Sequence, residues 1–431
     1  MLKSLYFYES IQNLKRYFNN GLVFEGVVVT ITEYIMLGSF VMVSYFINHY
    51  YSTSYVGVYF LAYSISQIVI LGFGSAFTSL MRRDLSTNKY SLNDYFAKVQ
   101  YLRFGNLLIG LVLSAITILF FYQTLTQNLF FILLMIGTKG FDALNESYYT
   151  AYQTLNKLTE YSALKIFNAS AFLLISGYSC LNHYDIAYLY YGQLLISIIF
   201  FAINLYRWKR LMWVDSIELK KVKYRFLLIE SLPLIINTLI FQLGLRLNTV
   251  LIFDEIGDKG LGVFSIIVMV ISVLTGIANA FGIVFFGRLS RAFLNDTEVF
   301  IRVLRQTIIL SVIFGMVSCF IFLAFRPFVD YLFNLAEYYK LYFVMAGAIP
   351  FIFFTGFIGG IFVVINQQKI GMYLSTLVLI FNIAIYYFLT RYFGLIGSGF
   401  AYLAASVFQS IVIFIGVFIC LKHQLKVFNF F

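Results

Sequence analysis

About twelve stretches of this chain, each of about 18 residues or more and nearly free of charge, follow one another from residue 22 to residue 421 with short gaps. Each is long enough to cross the ~30 Å hydrocarbon core of a bilayer as a helix. Helices are the forced choice there, because lipid offers no partner for a backbone N–H or C=O and each segment must satisfy its own. The expected fold class is therefore an all-α polytopic membrane protein. Its transmembrane helices are expected at roughly 22–47, 56–81, 104–123, 128–152, 161–180, 187–206, 226–252, 261–287, 306–325, 341–365, 371–390 and 396–420.

Composition closes off most other classes. The 431 residues are 61% hydrophobic and 11% charged, where soluble domains carry roughly 25% charged residues. No polar block is large enough for a separate soluble domain. The net charge of +11 does not point to nucleic acid, because the cations are sorted by loop and form no contiguous basic patch. Cys180, Cys319 and Cys420 fall at different depths and show no CxxC spacing, which argues against a disulfide framework. His49, His183 and His423 lie in loops or tails, so no histidine triad or metal cluster is expected, and no cofactor.

Residues 1–20 are too polar for the apolar region of a signal peptide. Leu5, Tyr8, Ile11, Leu14 and Phe18 recur at helical spacing with Lys3, Lys15 and Arg16 between them. That pattern predicts an amphipathic helix lying on the inner membrane surface.

Charge sorting sets the orientation. With the N-terminus inside, only Lys259, Arg326, Lys340 and Arg391 fall outside, and Lys139 and Arg246 fall within spans. The remaining 24 of the 30 Lys and Arg residues are then on the inner face, Arg103 and Lys165 counted among them. The positive-inside rule thus predicts both termini cytoplasmic.

The two halves repeat. Residues 55–86, YVGVYFLAYSISQIVILGFGSAFTSLMRRDLS, parallel residues 260–290, GLGVFSIIVMVISVLTGIANAFGIVFFGRLS. Gly57 matches Gly262, and each follows a glutamate, Glu25 or Glu230, by the same 32 residues. Two six-helix pseudo-symmetric lobes are expected, 1–213 and 214–431, joined by the basic loop at 207–225. Transporters are commonly built this way, with the binding site between the halves near the bilayer midplane.

Three segments carry a resemblance to a known family: residues 50–86, opening YYSTSYVGVYFLAYSISQ; residues 229–252 and 257–268, with Pro233; and YFGLIGSGFAYLAASVFQS at 392–410. They resemble the polysaccharide-biosynthesis export family, which includes Wzx-type flippases and sits in the multidrug/oligosaccharidyl-lipid/polysaccharide exporter superfamily with the MATE transporters. The resemblance implies a non-enzymatic flippase in the bacterial inner membrane. Its substrate would be undecaprenyl-diphosphate-linked oligosaccharide for O-antigen or a related surface polysaccharide. It implies a monomer working beside a polysaccharide polymerase and chain-length machinery. The family supplies no universal catalytic motif, so site residues come from this chain's own charges.

An ionisable group at bilayer depth costs about 2.5–3.5 kcal/mol on insertion scales and is a functional candidate by default. The first span holds Glu33 and, nearer the inside, Glu25. The fourth holds Lys139, Asp142 and Glu146 on one helical face, which Tyr149 and Gln153 extend. The seventh holds Glu230 near its inner end and Arg246 in its outer half, flanked by Gln242 and Thr249. Arg246, Lys139 and Gln242 are the expected substrate-binding residues, because fixed cations replace the hydration of a diphosphate. Glu33, Asp142, Glu146 and Glu230 are the expected sites for a coupling proton or sodium ion. Structural readings stand beside these: Lys139 and Asp142 can form an internal ion pair, and Glu25 and Glu230 can lie among head groups.

A drug/cation antiporter remains the alternative function, since the acids in the spans outnumber Lys139 and Arg246. A membrane-embedded polymerase needs an extramembrane reaction centre, and the longest outer loop, 326–340, offers little beyond Arg326, Asp330, Glu337 and Lys340. The chain has no GxxxxGK[ST] pattern, so ATP is not expected to drive it directly.

Overall fold

The computed structural model describes residues 21–71, 77, 78, 80, 81, 84, 91–121, 128–154, 157–211, 222–295, 297–365 and 367–425. The amphipathic helix expected at 1–20 lies outside these residues, as do the side chains of Glu25 and Gln153.

The described chain is built from helices. Six precede residue 212: α1 (Gly21–Tyr50), α2 (Thr53–Ser66), α3 (Leu92–Phe121), α4 (Leu129–Thr154), α5 (Leu158–Leu181) and α6 (Ile186–Leu211). Seven follow: α7 (Tyr224–Asn295), α8 (Thr297–Ala324), α9 (Arg326–Phe333), α10 (Tyr339–Ala346), α11 (Ile349–Ile358), α12 (Ile361–Val364) and α13 (Gln368–Leu425). Among the described residues eight helices are long and apolar enough to cross a membrane, or nine if the bent pair Ala336–Ala346 and Ile349–Val364 is one crossing. The chain is thus a multi-pass membrane protein by length and composition. Helix α4 has the length, at 26 residues, but Lys139, Asp142 and Glu146 interrupt its apolar run.

Two helices are broken by glycine. In α7 the 72-residue run changes direction at Gly257, with φ 74° and ψ −174°. In α13 the 58-residue run does so at Gly394, with φ 58° and ψ −139°. Positive φ with such ψ values is open to glycine and strained for any residue with a Cβ. A straight 58-residue helix would be about 87 Å long, far beyond a bilayer core. Instead Phe381 and Phe408 stack at 3.9 Å between ring centroids, so the two arms of α13 lie side by side. The breaks fall between the expected spans 226–252 and 261–287, and between 371–390 and 396–420. Two of the three prolines, Pro327 and Pro350, open α9 and α11, where a missing N–H leaves no bond unmade. The third, Pro233, lies inside the first arm of α7, where the only non-helical dihedrals are those of Gly257.

The repeat seen in the sequence meets itself in space. A Cβ on Gly57 would lie 1.9 Å from the carbonyl oxygen of Asp258, and one on Gly262 would lie 2.1 Å from that of Thr53. The start of α2 and the second arm of α7 therefore cross backbone to backbone, and only hydrogen at these two positions permits it. At the same end Asn48 Nδ2 donates to Phe333 O at 3.2 Å, and Tyr45 meets the Phe333 ring edge-on. One hydrophobic core runs across this end and the middle of the bundle, from Val43 and Val56 to Phe264, Phe322 and Leu421. A second core around Phe96, Tyr148, Tyr152 and Trp208 joins α3, α4 and α6 to Val222, Leu227 and Ile235.

Candidate functional site

Helix α2 places Tyr63 in the middle of the bundle, against both halves of the chain. The ring takes Lys139 Nζ from α4 at 5.4 Å from its centroid and the Arg246 guanidinium from α7 at 5.2 Å. Cation–π contacts of this kind are worth about 0.5–2 kcal/mol, more as water is excluded. Next to Tyr63, Ser64 Oγ donates to Thr249 Oγ1 at 3.3 Å. Just beyond, Gln67–Leu71 continues α2 as a π-helical turn, a distortion that spreads side chains and recurs at functional sites.

The two cations at Tyr63 differ in state. Lys139 pairs with Asp142 at 2.9 Å on its own helix, and Ser197 Oγ donates to the other carboxylate oxygen at 2.7 Å. The internal ion pair foreseen from the spacing is therefore present. Arg246 forms no ion pair among the described residues. Its Nε is buried without a hydrogen-bond partner, and so is Oε1 of Gln242, one turn earlier on the same face. Tyr34 of α1 also has a buried hydroxyl without a partner, and it faces Gly276 on the second arm of α7.

A second group lies further along the same face of α4. Lys165 of α5 reaches Glu33 of α1 at 3.0 Å and Glu146 of α4 at 3.5 Å, and its ammonium sits 5.7 Å from the centroid of the Tyr149 ring. The Lys165 side chain is 9% exposed and that of Glu33 is 50% exposed, so the acid opens this group to its surroundings. Glu33 is therefore not the isolated acid that its own helix suggests. Glu230 is exposed near the start of α7 and lies sixteen residues, about 24 Å of helix, from Arg246. The expected site residues thus fall into two groups joined by α4, with Glu230 at a distance from Arg246.

Lys165 and Arg103 are what sequence reasoning missed, since both were assigned to the inner-face cations. Arg103 is buried between helices, donating to Ala143 O, to Ser147 Oγ at 2.6 Å and to Thr78 Oγ1. Lys165 falls inside the expected span 161–180, and that position was the available signal. Within these two groups Lys139, Lys165 and Arg246 stand against Asp142, Glu33 and Glu146, three against three, while Glu230 lies apart and the Glu25 side chain is outside the described residues.

The bundle as a whole matches solved structures. An outward-facing multidrug resistance MATE family transporter of the MOP superfamily aligns with a TM-score of 0.66 and 16% identity, over 92% of this chain and 96% of that one. This chain has the MATE transporter fold. An inward-facing MATE family transporter gives 0.65 and 13% identity, over 94% and 96%. A MOP superfamily transporter from Pyrococcus furiosus Vc1, whose reverse binding-pocket polarity suggests a different function, gives 0.63 and 13% identity, over 92% and 95%. No family model and no curated protein matches the chain.

Proposed function

We propose that this protein is a flippase that carries undecaprenyl-diphosphate-linked oligosaccharide across a bacterial inner membrane by alternating access. In this reading the chain crosses the bilayer twelve times. The arms of α7 and of α13 count separately, α10–α12 form one bent crossing, and the charged α4 is a crossing lined on one face. The lobes are 1–213 and 214–431, both termini are cytoplasmic, and the monomer is the working unit. The Gly57–Gly262 crossing then closes the outer end, and the site opens inward.

One observation carries the proposal. Two cations from opposite halves converge on Tyr63, and one of them, Arg246, has a buried Nε with no protein partner. A buried guanidinium N–H left unsatisfied is costly, and a phosphate oxygen satisfies it by a charge-assisted hydrogen bond. Gln242 adds an amide one turn away. The polyprenyl tail stays in lipid while the charged head crosses. Rocking of the lobes about the glycine crossing exchanges access. Glu33, with Asp142 and Glu146, is the proposed route for a coupling proton or sodium ion.

A cation-exporting antiporter on the same fold is the second reading, and it calls for a net acidic cavity. The matched charges around α4 weigh against it. The fold itself accommodates a change of pocket polarity, as the P. furiosus neighbour illustrates.

The test is gene deletion followed by complementation. Loss of surface polysaccharide, with lipid-linked intermediates accumulating at the inner face, is expected in the deletion strain and in Arg246→Ala and Lys139→Ala, with protein still in the membrane. Normal export by both variants removes the binding site proposed here. Lost drug resistance with intact polysaccharide selects the antiporter.

A further inference from the structure

A cavity lies on the flank of the bundle, away from Tyr63. It holds about 240 Å³ between α8, α11 and the second arm of α13. Its walls include Leu304, Ile308, Phe354, Phe414 and Val417, and its one charged residue is Arg305. Ile309, Ile313, Phe418 and Ile419 around it are exposed, so the slot opens onto lipid. Arg305 lies eight residues into α8, roughly 12 Å of rise from its start. That end of α8 also bears exposed Arg302, and the matching end of α13 bears exposed Lys422. These residues belong to the cation-rich side that the positive-inside rule places at the cytoplasmic head groups. Arg305 is exposed and forms no ion pair among the described residues.

We propose that this slot binds an anionic phospholipid of the inner leaflet, with Arg305 on its phosphate and one acyl chain between Ile308 and Val417. The slot offers an occupant almost only hydrocarbon, at a depth where the surroundings are acyl chains. The arginine at its mouth stands at head-group level, its stem along the apolar wall and its charge in the polar layer. An unpaired cation there selects negative head groups. The site is independent of the transported substrate.

Photoreactive phosphatidylglycerol or phosphatidylcholine, with the reactive group on the acyl chain, tests it. The purified full chain is placed in nanodiscs of both lipids in equal parts, and labelled peptides are mapped. Labelling at 304–309 and 414–421 is expected to favour phosphatidylglycerol about fivefold, the worth of one interfacial cation. Arg305→Ala should abolish the preference, Arg305→Lys should keep most of it, and Ile308→Trp should block labelling with the charge intact. Melting of each variant in detergent checks that it is folded. Equal labelling by the two lipids, or a preference that survives Arg305→Ala, overturns the proposal. So does displacement by an equimolar polyprenyl phosphate, which would give the slot to the carrier lipid instead.

Discussion

Replacing Gly57 by alanine tests whether the crossing of α2 and the second arm of α7 is the outer gate. The new Cβ would lie 1.9 Å from Asp258 O, where ordinary contact begins at 3.4 Å. The backbones must part by the difference, about 1.5 Å, and the obstacle is a main-chain carbonyl that has no rotamer to adopt. Forcing one methyl group into close packing costs about 1–3 kcal/mol. If that cost falls on the closed state alone, the open population rises about 5- to 150-fold, at 1.36 kcal/mol per decade. Ser64 reports the opening, because it is 1% exposed and bonded to Thr249 across the two halves. In a chain with Cys180, Cys319 and Cys420 replaced by serine, Ser64→Cys is labelled in intact cells with a membrane-impermeant maleimide. The labelling rate is expected to rise by that factor with Gly57→Ala, and likewise with Gly262→Ala. Gly38→Ala, with nothing within 4 Å of its Cβ, should leave the rate unchanged. If Gly57→Ala lowers the melting temperature and leaves outside labelling unchanged, the crossing is a rigid joint and the gating scheme fails.

Two further outcomes follow from the buried charges. Lys165→Met leaves Glu33 and Glu146 facing one another without their shared cation. Breaking a fully buried pair costs about 3–5 kcal/mol, and the exposure of Glu33 brings the expected loss to roughly 1–2 kcal/mol, read as lowered melting in detergent. Adding Glu33→Gln should recover part of it, and no recovery would mean that the acids do not share Lys165. Arg103→Met removes donors to α4 and to Thr78, and at about 1 kcal/mol per bond or more it should cost roughly 2–4 kcal/mol. Unchanged melting would show that Arg103 does not hold these helices together.

Much of the helical layout was legible in the sequence, because in lipid the rule for a span is local: enough apolar residues to cover the core, ended by polar residues or glycine. The breaks at Gly257 and Gly394 sit in the gaps that hydropathy left, and the repeated Gly57 and Gly262 were visible as a pattern before they were visible as a contact. The site was legible only in part. The stripe Lys139, Asp142, Glu146 follows from helical spacing, and the Lys139–Asp142 pair with it. What Glu33 and Arg246 do with their charges does not.

Their states depend on partners far away in the chain. Lys165 meets Glu33 across 132 residues, and Tyr63 gathers Lys139 and Arg246 from helices on either side of the central loop. No spacing rule reaches that far, because helix packing, and not sequence separation, decides which side chains share a volume. Hydropathy and charge sorting alone therefore settled that the chain lives in a membrane and roughly where its helices run. Only the packed bundle decided that Lys165 meets Glu33 and Glu146 while Arg246 has no carboxylate partner among the described residues, since that difference is a matter of a few ångströms between helices.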